Sequence, residues 1–192
     1  MSATFLILSA TLMAVAIAHV HAADDAKPGT PGTAKGPLDF TLKANDGTPY
    51  DLAKLRGKVV LLVNTASKCG LTPQYAELQA LHTTYQERGL VIVAVPANDF
   101  GAQEPGTDAE IRTFCATYQV GFPLMSKVSV KGDDIHPLFR WLTVDGPKPG
   151  PIAWNFTKFL IGRDGSVIGR FEPKTAPAST DVTSAVDLAL GK

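Results

Sequence analysis

The chain has 192 residues, 45% of them apolar, and its 18 Lys and Arg residues balance 18 Asp and Glu residues. This length suits a single domain with a well-packed core. A formal net charge of zero argues against nucleic acid or an anionic membrane surface as the main partner.

Residues 1–22 are predicted to be a signal peptide. An apolar run covers residues 5–20, and Val20 and Ala22 are placed as in a signal peptidase site that ends at Ala22. No Lys or Arg precedes the run, and the alternative is an uncleaved anchor, although the run is short for a membrane span. Both interpretations predict an exported protein, periplasmic or extracellular.

A flexible linker is predicted for residues 23–37, which are rich in Pro, Gly and Thr and poor in bulky apolar side chains. The folded domain is then expected to cover residues 38–192. Its predicted elements, in chain order, are a hairpin (39–52), a buried strand (59–64), a helix (73–88), a second buried strand (90–95), a helix after the capping box Thr107–Glu110, a helix (133–142), a hairpin (156–171) and a last helix (179–190).

This order of elements predicts an α/β fold in which helices flank a central mixed sheet. Strands alternate with helices in the first half, and a hairpin and a helix close the chain. A thioredoxin-like fold with an N-terminal hairpin fits this order, and no repeat or second domain is visible.

Cys69 lies between a predicted buried strand and a predicted helix. Thr72 is predicted to be the N-cap of that helix and Pro73 its first residue. The unpaired N–H groups of a helix start and the ammonium group of Lys68 favour the thiolate form of a nearby cysteine. The sequence therefore predicts a reactive thiol at Cys69.

The second cysteine, Cys115, lies on the apolar face of a predicted helix with Ile111, Phe114 and Tyr118. Alone, it would be interpreted as a buried, inert thiol. Two cysteines in an exported protein also permit a structural disulfide, although no pattern in the sequence requires Cys69 and Cys115 to be in permanent contact.

A threonine stands at position 72, where the usual two-cysteine oxidoreductase motif has its second cysteine. A lone nucleophilic thiolate suits peroxide reduction, in which the sulfur becomes a sulfenic acid. Neutral N–H donors would hold the thiolate and the departing oxygen without competing for the proton. Such residues follow one strand at 98–106 and precede another at 153–156, in loops at the same end of the predicted sheet.

Three stretches together make the chain resemble the glutathione peroxidase family in its cysteine type. The stretches are VNTASKCGLTPQY (63–75), FGAQEPG (100–106) and WNFTKFL (154–160). They occur in the order found in that family. The resemblance covers roughly residue 38 to the C-terminus. It implies a peroxidase for hydrogen peroxide and organic or lipid hydroperoxides, without a metal or organic cofactor.

The resemblance also implies roles for individual residues. Cys69 would be the peroxidatic cysteine, and Gln103, Trp154 and Asn155 would donate hydrogen bonds to its sulfur. Cys115 resembles the resolving cysteine of the thioredoxin-dependent branch, in an Ile-x-x-Phe-Cys context, and its helix would have to unwind locally for it to reach Cys69.

Departures from the family pattern bear on the reductant and on the assembly. Ala97 stands where relatives often have a third cysteine, and residues 143–153 lack the insertion that builds tetramers, so a monomer is expected. No cluster of Arg or Lys residues stands out as a binding site for glutathione, so the family name does not identify the reductant. A thioredoxin-like protein or glutathione is expected to supply the reducing thiol. A peroxide-sensing relay protein and a non-catalytic domain with a structural disulfide are the alternatives.

Overall fold

The structure is a computed structural model that describes residues 36–191 together with Met1. Apart from Met1, the predicted signal peptide lies outside the described residues, as does nearly all of the predicted linker. Within residues 36–191, no helix is both long enough and apolar enough to cross a membrane.

The elements follow the predicted order. The helices are α1 (Gln74–Tyr85), α2 (Asp108–Thr117), α3 (Pro137–Arg140) and α4 (Thr180–Leu190). The strands are β1 (Thr41–Lys43), β2 (Pro49–Asp51), β3 (Val59–Thr65), β4 (Leu90–Pro96), β5 (Lys158–Ile161) and β6 (Val167–Phe171). Short 3-10 helices cover Pro37–Asp39, Leu52–Leu55 and Gln86–Arg88, and a π-helical turn covers Trp141–Asp145.

Four strands form the central sheet in the order β4-β3-β5-β6, and β1 and β2 form a separate antiparallel hairpin. The β3–β4 pair is parallel, whereas β5 is antiparallel to both β3 and β6. All residues of β3 are buried, as its continuous apolar run predicts. The predicted mixed sheet with an N-terminal hairpin is therefore confirmed.

The core has two parts, one on each face of the sheet, because successive side chains of a strand point to opposite faces. Val60 and Leu62 of β3 pack with the β1–β2 hairpin and α3. Leu61 and Val63 pack with α1, α2 and α4. This second cluster also contains both cysteines, so Cys69 and Cys115 lie on the same side of the sheet.

One predicted helix has a different form in the structure. Residues 133–142 were expected to be helical, but α3 begins only at Pro137, whose missing N–H group suits the first helical position. The His136 ring caps this start by accepting the N–H of Leu138 on Nδ1 at 3.2 Å. The helical backbone then continues as the π-helical turn Trp141–Asp145, and Gly146 is its C-cap.

Candidate active site

Thr72 shapes the loop that carries Cys69. Its hydroxyl accepts the Cys69 N–H at 3.0 Å and donates to the carbonyl of Ala66 at 2.9 Å. The prediction that Thr72 caps α1 is wrong, because this hydroxyl turns back into the loop and Pro73 occupies the N-cap position without a side-chain cap. Thr72 therefore fixes the cysteine loop rather than the helix.

The sulfur of Cys69 is nearly enclosed, since the residue is 8% exposed. The backbone N–H of Leu71 points to Sγ at 3.4 Å, and the carbonyl of Cys69 accepts the N–H of Thr72 at 3.0 Å. An N–H group in this position is a donor for negative charge on the sulfur. The predicted location of Cys69, in a tight turn just ahead of α1, is confirmed.

Gln103 and Asn155 come together although they are far apart in the sequence. The Nδ2 of Asn155 donates to the Oε1 of Gln103 at 2.9 Å, and Asn155 is fully buried. The carbonyl of Gln103 accepts the N–H of Lys68 at 3.0 Å, which attaches the Gln103 loop to the residue before Cys69. These bonds bring the three predicted loops to the same end of the sheet.

Trp154 lies on the surface of this region. Its ring packs on Phe100 with centroids 5.4 Å apart, and the residue is 40% exposed. The backbone carbonyl of Trp154 accepts hydrogen bonds from Asn64 Nδ2 at 3.2 Å and from Thr157 Oγ1 at 3.0 Å. The tryptophan is thus held by its backbone, while part of its ring faces solvent.

Asn64 has a role in this site beyond the residues predicted from the sequence. It lies in β3, is almost fully buried, and accepts the N–H of Thr157 on Oδ1 at 3.0 Å. Its backbone carbonyl also accepts the N–H of Phe156 at 2.7 Å. The available signal was an Asn directly after the apolar run VVLLV, because buried amides need partners.

Two residues beside the predicted donors have left-handed backbone conformations. Ala102 precedes Gln103 and has φ 51, and Phe156 follows Asn155 and has φ 67. Positive φ is rare outside glycine, and a bulky aromatic residue adopts it only where the surroundings hold it there. Burial of the Phe156 ring and its bond to Asn64 provide that restraint.

Cys115 lies in α2, as predicted, and is buried at 2% exposure. Burial raises the pKa of its thiol to about 11; the Tyr75 hydroxyl opposes this shift, and the Glu104 carboxylate adds to it. Cys69 and Cys115 are both free cysteines. Unlike the other predicted residues, Cys115 belongs to a helix and not to the loops at the sheet edge.

No group of three or more His, Cys, Asp or Glu residues within the described part of the chain could hold a metal ion. The side chains at this end of the sheet are a thiol, two amides and an indole. A cysteine in a turn just before a helix, with an N–H group directed at its sulfur, is suited to thiol-dependent redox chemistry.

Comparison with known proteins identifies the family. The glutathione peroxidase family model matches residues 38–143. A hydroperoxy fatty acid reductase of Synechocystis sp. is 52% identical over 156 residues, which are 81% of this chain and 99% of that protein. The thioredoxin/glutathione peroxidase of Escherichia coli is 40% identical over 178 residues, covering 81% of this chain and 97% of that protein.

The chain belongs to the glutathione peroxidase family and is a thiol peroxidase that reduces hydroperoxides. Its fold is shared more widely. A thiol:disulfide interchange protein of the thioredoxin family from Chlorobium tepidum superposes with a TM-score of 0.60 at 22% identity, covering 87% of this chain and 99% of that one. The predicted thioredoxin-like fold is therefore confirmed.

Proposed function

We propose that Cys69 is the peroxidatic residue. Its thiolate attacks the terminal oxygen of a hydroperoxide, the O–O bond breaks, and the alkoxide or hydroxide leaves with a proton as an alcohol or water. The sulfur is oxidised to a sulfenic acid and the hydroperoxide is reduced by two electrons. The enclosed position of Cys69, with the Leu71 N–H pointing to its sulfur, supports this role.

The observation that carries the proposal is the hydrogen bond between Asn155 and Gln103 at the cysteine end of the sheet. It uses the carbonyl oxygen of Gln103, so the amide nitrogen of Gln103 is left to donate elsewhere. We assign this donor to the sulfur and to the departing oxygen, with Asn155 and the indole N–H of Trp154 as the other donors. Such fixed neutral donors stabilise charge that develops in the transition state.

Cys115 is proposed as the resolving cysteine, which attacks the sulfenic acid of Cys69 to form a disulfide and release water. In the folded helix its thiol is almost entirely protonated near pH 7, because burial raises its pKa to about 11 from an ordinary 9.0. Opening of α2 would return the thiol to water and raise its thiolate fraction roughly a hundredfold. The opening would expose Ile111 and Cys115, the buried residues of α2, and would separate the Phe114 ring from that of Tyr75.

The names of the relatives support the choice of substrates and reductant. One is named a hydroperoxy fatty acid reductase and the other a thioredoxin/glutathione peroxidase. We therefore propose fatty acid and other lipid hydroperoxides as substrates besides hydrogen peroxide, and a thioredoxin-like protein as the reductant, with glutathione as the alternative. We propose that the protein acts as a monomer.

The test combines turnover and mass spectrometry. With a thioredoxin system, the wild type is expected to consume hydrogen peroxide, and Cys69→Ser is expected to lose this activity. One equivalent of peroxide should give a Cys69–Cys115 disulfide in the wild type and a persistent sulfenic acid in Cys115→Ser. Full thioredoxin-dependent activity of Cys115→Ser would disprove the resolving role, and full activity of Cys69→Ser would disprove the proposed mechanism.

Export is a separate proposal, based on the apolar leader at residues 5–20. Sequencing the mature N-terminus of the natively expressed protein tests it. A start at Ala23 is expected after cleavage. An intact leader in the membrane fraction would support the anchor instead, and an intact leader in the cytosol would refute export.

A further inference from the structure

We propose that Glu104 is a positioning residue that holds the Cys69 loop in its reactive geometry; the inference rests on the proposed role of Cys69. Glu104 follows Gln103 and is 1% exposed. Its Oε2 accepts a hydrogen bond from the hydroxyl of Ser67 at 3.0 Å, and Ser67 lies two residues before Cys69. The carboxylate therefore connects the cysteine loop to the loop that carries Gln103.

Hydrogen bonds also hold the backbone of Glu104, at its N–H group and at its carbonyl group. Its N–H donates to the Oδ1 of Asn98 at 2.8 Å, and its carbonyl accepts from the Nζ of Lys127 at 3.0 Å. The neighbouring Gln103 carbonyl in turn accepts the N–H of Lys68. Because the backbone of Glu104 is held on both sides, its carboxylate gives Ser67, and with it Cys69, a rigid support.

Packing alone does not hold the cysteine loop on this side. A cavity of about 320 Å³ lies between Ser67–Lys68 and the α2 residues Ile111 and Phe114, and Glu104 forms part of its wall. Two hydrogen bonds connect the loop directly to the Gln103 segment: the backbone bond from Lys68 to Gln103, and the bond from Ser67 to Glu104, which is the one made by side chains.

A buried carboxylate makes this connection at a cost in the stability of the fold. Burial raises the pKa of Glu104; the bonds from Ser67 and the charges of Lys127 and Lys68 oppose this shift. The raised pKa means that the ionised side chain lowers the stability of the fold near neutral pH. A neutral amide of the same size would avoid this cost, so the charge is better explained by function than by folding.

Tyr75 and Cys115 remain neutral while Glu104 titrates, whereas Glu110, which lines the same cavity, has a pKa that hydrogen bonds from Thr107 lower. Burial raises the pKa of Tyr75 well above its ordinary value, and burial also raises the pKa of Cys115. Both pKa values are raised further by the Glu104 charge. The nearby cations are Lys68 and Lys127. A pH effect that disappears in Glu104→Gln therefore belongs to Glu104.

The first experiment measures the single-turnover rate at which hydrogen peroxide oxidises Cys69, by rapid quench with an alkylating agent and mass spectrometry. Glu104→Gln, which keeps the size of the side chain, and Ser67→Ala are each expected to slow this rate roughly tenfold, since small displacements of reacting groups have large effects on rate. The double variant should be no slower than either single variant. Glu87→Gln, at an exposed position, is the matched control and should match the wild type.

The second readout distinguishes positioning from a merely structural role. As pH falls through the titration of Glu104, the wild-type rate should approach that of Glu104→Gln, because a protonated carboxyl loses its charge-assisted bond from Ser67. The melting temperature of Glu104→Gln should equal or exceed that of the wild type.

Two outcomes would overturn the inference in different ways. Equal rates for wild type and both variants at every pH would show that Glu104 does not position Cys69. A wild-type Cys69 that peroxide does not oxidise would instead refute the proposed function, and this inference with it.

Discussion

Asn155 donates a hydrogen bond of 2.9 Å to Gln103, and this bond joins the loop before β5 to the loop after β4. Each side chain thereby fixes the rotamer of the other. Asn155 is buried and its backbone lies next to the strained Phe156, so the arrangement has little freedom to change. The amide nitrogen of Gln103 is oriented by the same contact, because its carbonyl oxygen is already engaged.

The variant Gln103→Glu tests the Gln103 donor. It keeps an oxygen that accepts from Asn155 and removes the amide N–H groups, so the loop should retain its structure. The single-turnover oxidation of Cys69 is expected to slow by about 100-fold, as for the loss of one transition-state donor. Rapid quench with alkylation measures this rate. Gln86→Glu, at an exposed position, is the control, and an unchanged rate in Gln103→Glu would exclude Gln103 as a donor.

Trp154→Phe separates the indole N–H from the ring. Phenylalanine can keep the packing on Phe100, and with 40% of Trp154 already exposed the free energy of unfolding should change by less than about 1 kcal/mol. The rate of Cys69 oxidation is expected to fall roughly tenfold through loss of a single hydrogen-bond donor. Stopped-flow kinetics and urea unfolding of the same sample check both values; a normal rate would leave the indole N–H without a catalytic role.

Thr107→Ala should speed resolution by weakening the start of α2. Thr107 and Glu110 form a capping box, and the Thr107 hydroxyl accepts the N–H of Glu110 at 3.3 Å. Its loss destabilises a helix by about 1 kcal/mol. If α2 must open for Cys115 to react, disulfide formation after a peroxide pulse should be up to about fivefold faster, with Cys69 oxidation unchanged.

Time-resolved alkylation follows the disulfide, and amide hydrogen exchange follows the opening of α2. Ser179→Ala, at the N-cap of α4, is the matched control, since Ser179 makes no side-chain cap bond. Disulfide formation that stays at the wild-type rate while α2 exchanges faster would show that opening of α2 does not limit resolution.

The burial of the Lys158 ammonium predicts an unusual dependence of the stability of the fold on pH. Its ammonium is buried against the carbonyls of Pro173 and Thr175, at 3.2 and 2.7 Å. Burial lowers the pKa of Lys158 from an ordinary 10.5 to about 8, with the Glu77 carboxylate opposing the shift. Between these pH values the unfolded chain binds more protons than the folded one, so stability should rise with pH.

The measurement compares the wild type with Lys158→Met by urea unfolding under reducing conditions. From about pH 8 to pH 10.5, the unfolding free energy of the wild type minus that of the variant should increase by about 3 kcal/mol. Lys148→Met, at an exposed position, should show no such trend relative to the wild type. A constant difference for Lys158→Met would mean that this lysine titrates normally in the folded protein.

The fold could be predicted because its signals are local. The continuous apolar run of β3, the capping box of α2 and the Asp-Gly turn between β5 and β6 each specify an element through short-range patterns. The location of Cys69 followed from its place between β3 and α1. The choice of Gln103, Trp154 and Asn155 came from the family resemblance, and the structure brings Gln103 and Asn155 into contact.

Features that depend on tertiary contacts could not be predicted. Thr72 has the sequence context of a helix cap, but its hydroxyl instead bonds to Ala66 and Cys69, a choice set by the geometry of the turn. Asn64 and Glu104 are polar residues whose importance depends on burial. Burial and partner identity arise from the packing of distant segments, which no local pattern encodes.

The pairing of β3 makes the site one of the last parts of the domain to be completed. Val60 pairs with Val91 on one side and with Ile161 on the other. The strand β3, which leads to Cys69, is therefore fully paired only when β5, about 100 residues further along the chain, has been added to the sheet. During synthesis the thiol therefore emerges long before Trp154 and Asn155. If Trp154 and Asn155 act as proposed, rapid reaction with peroxide would then report a fully folded domain, and nascent or truncated chains would carry the same cysteine without these proposed donors.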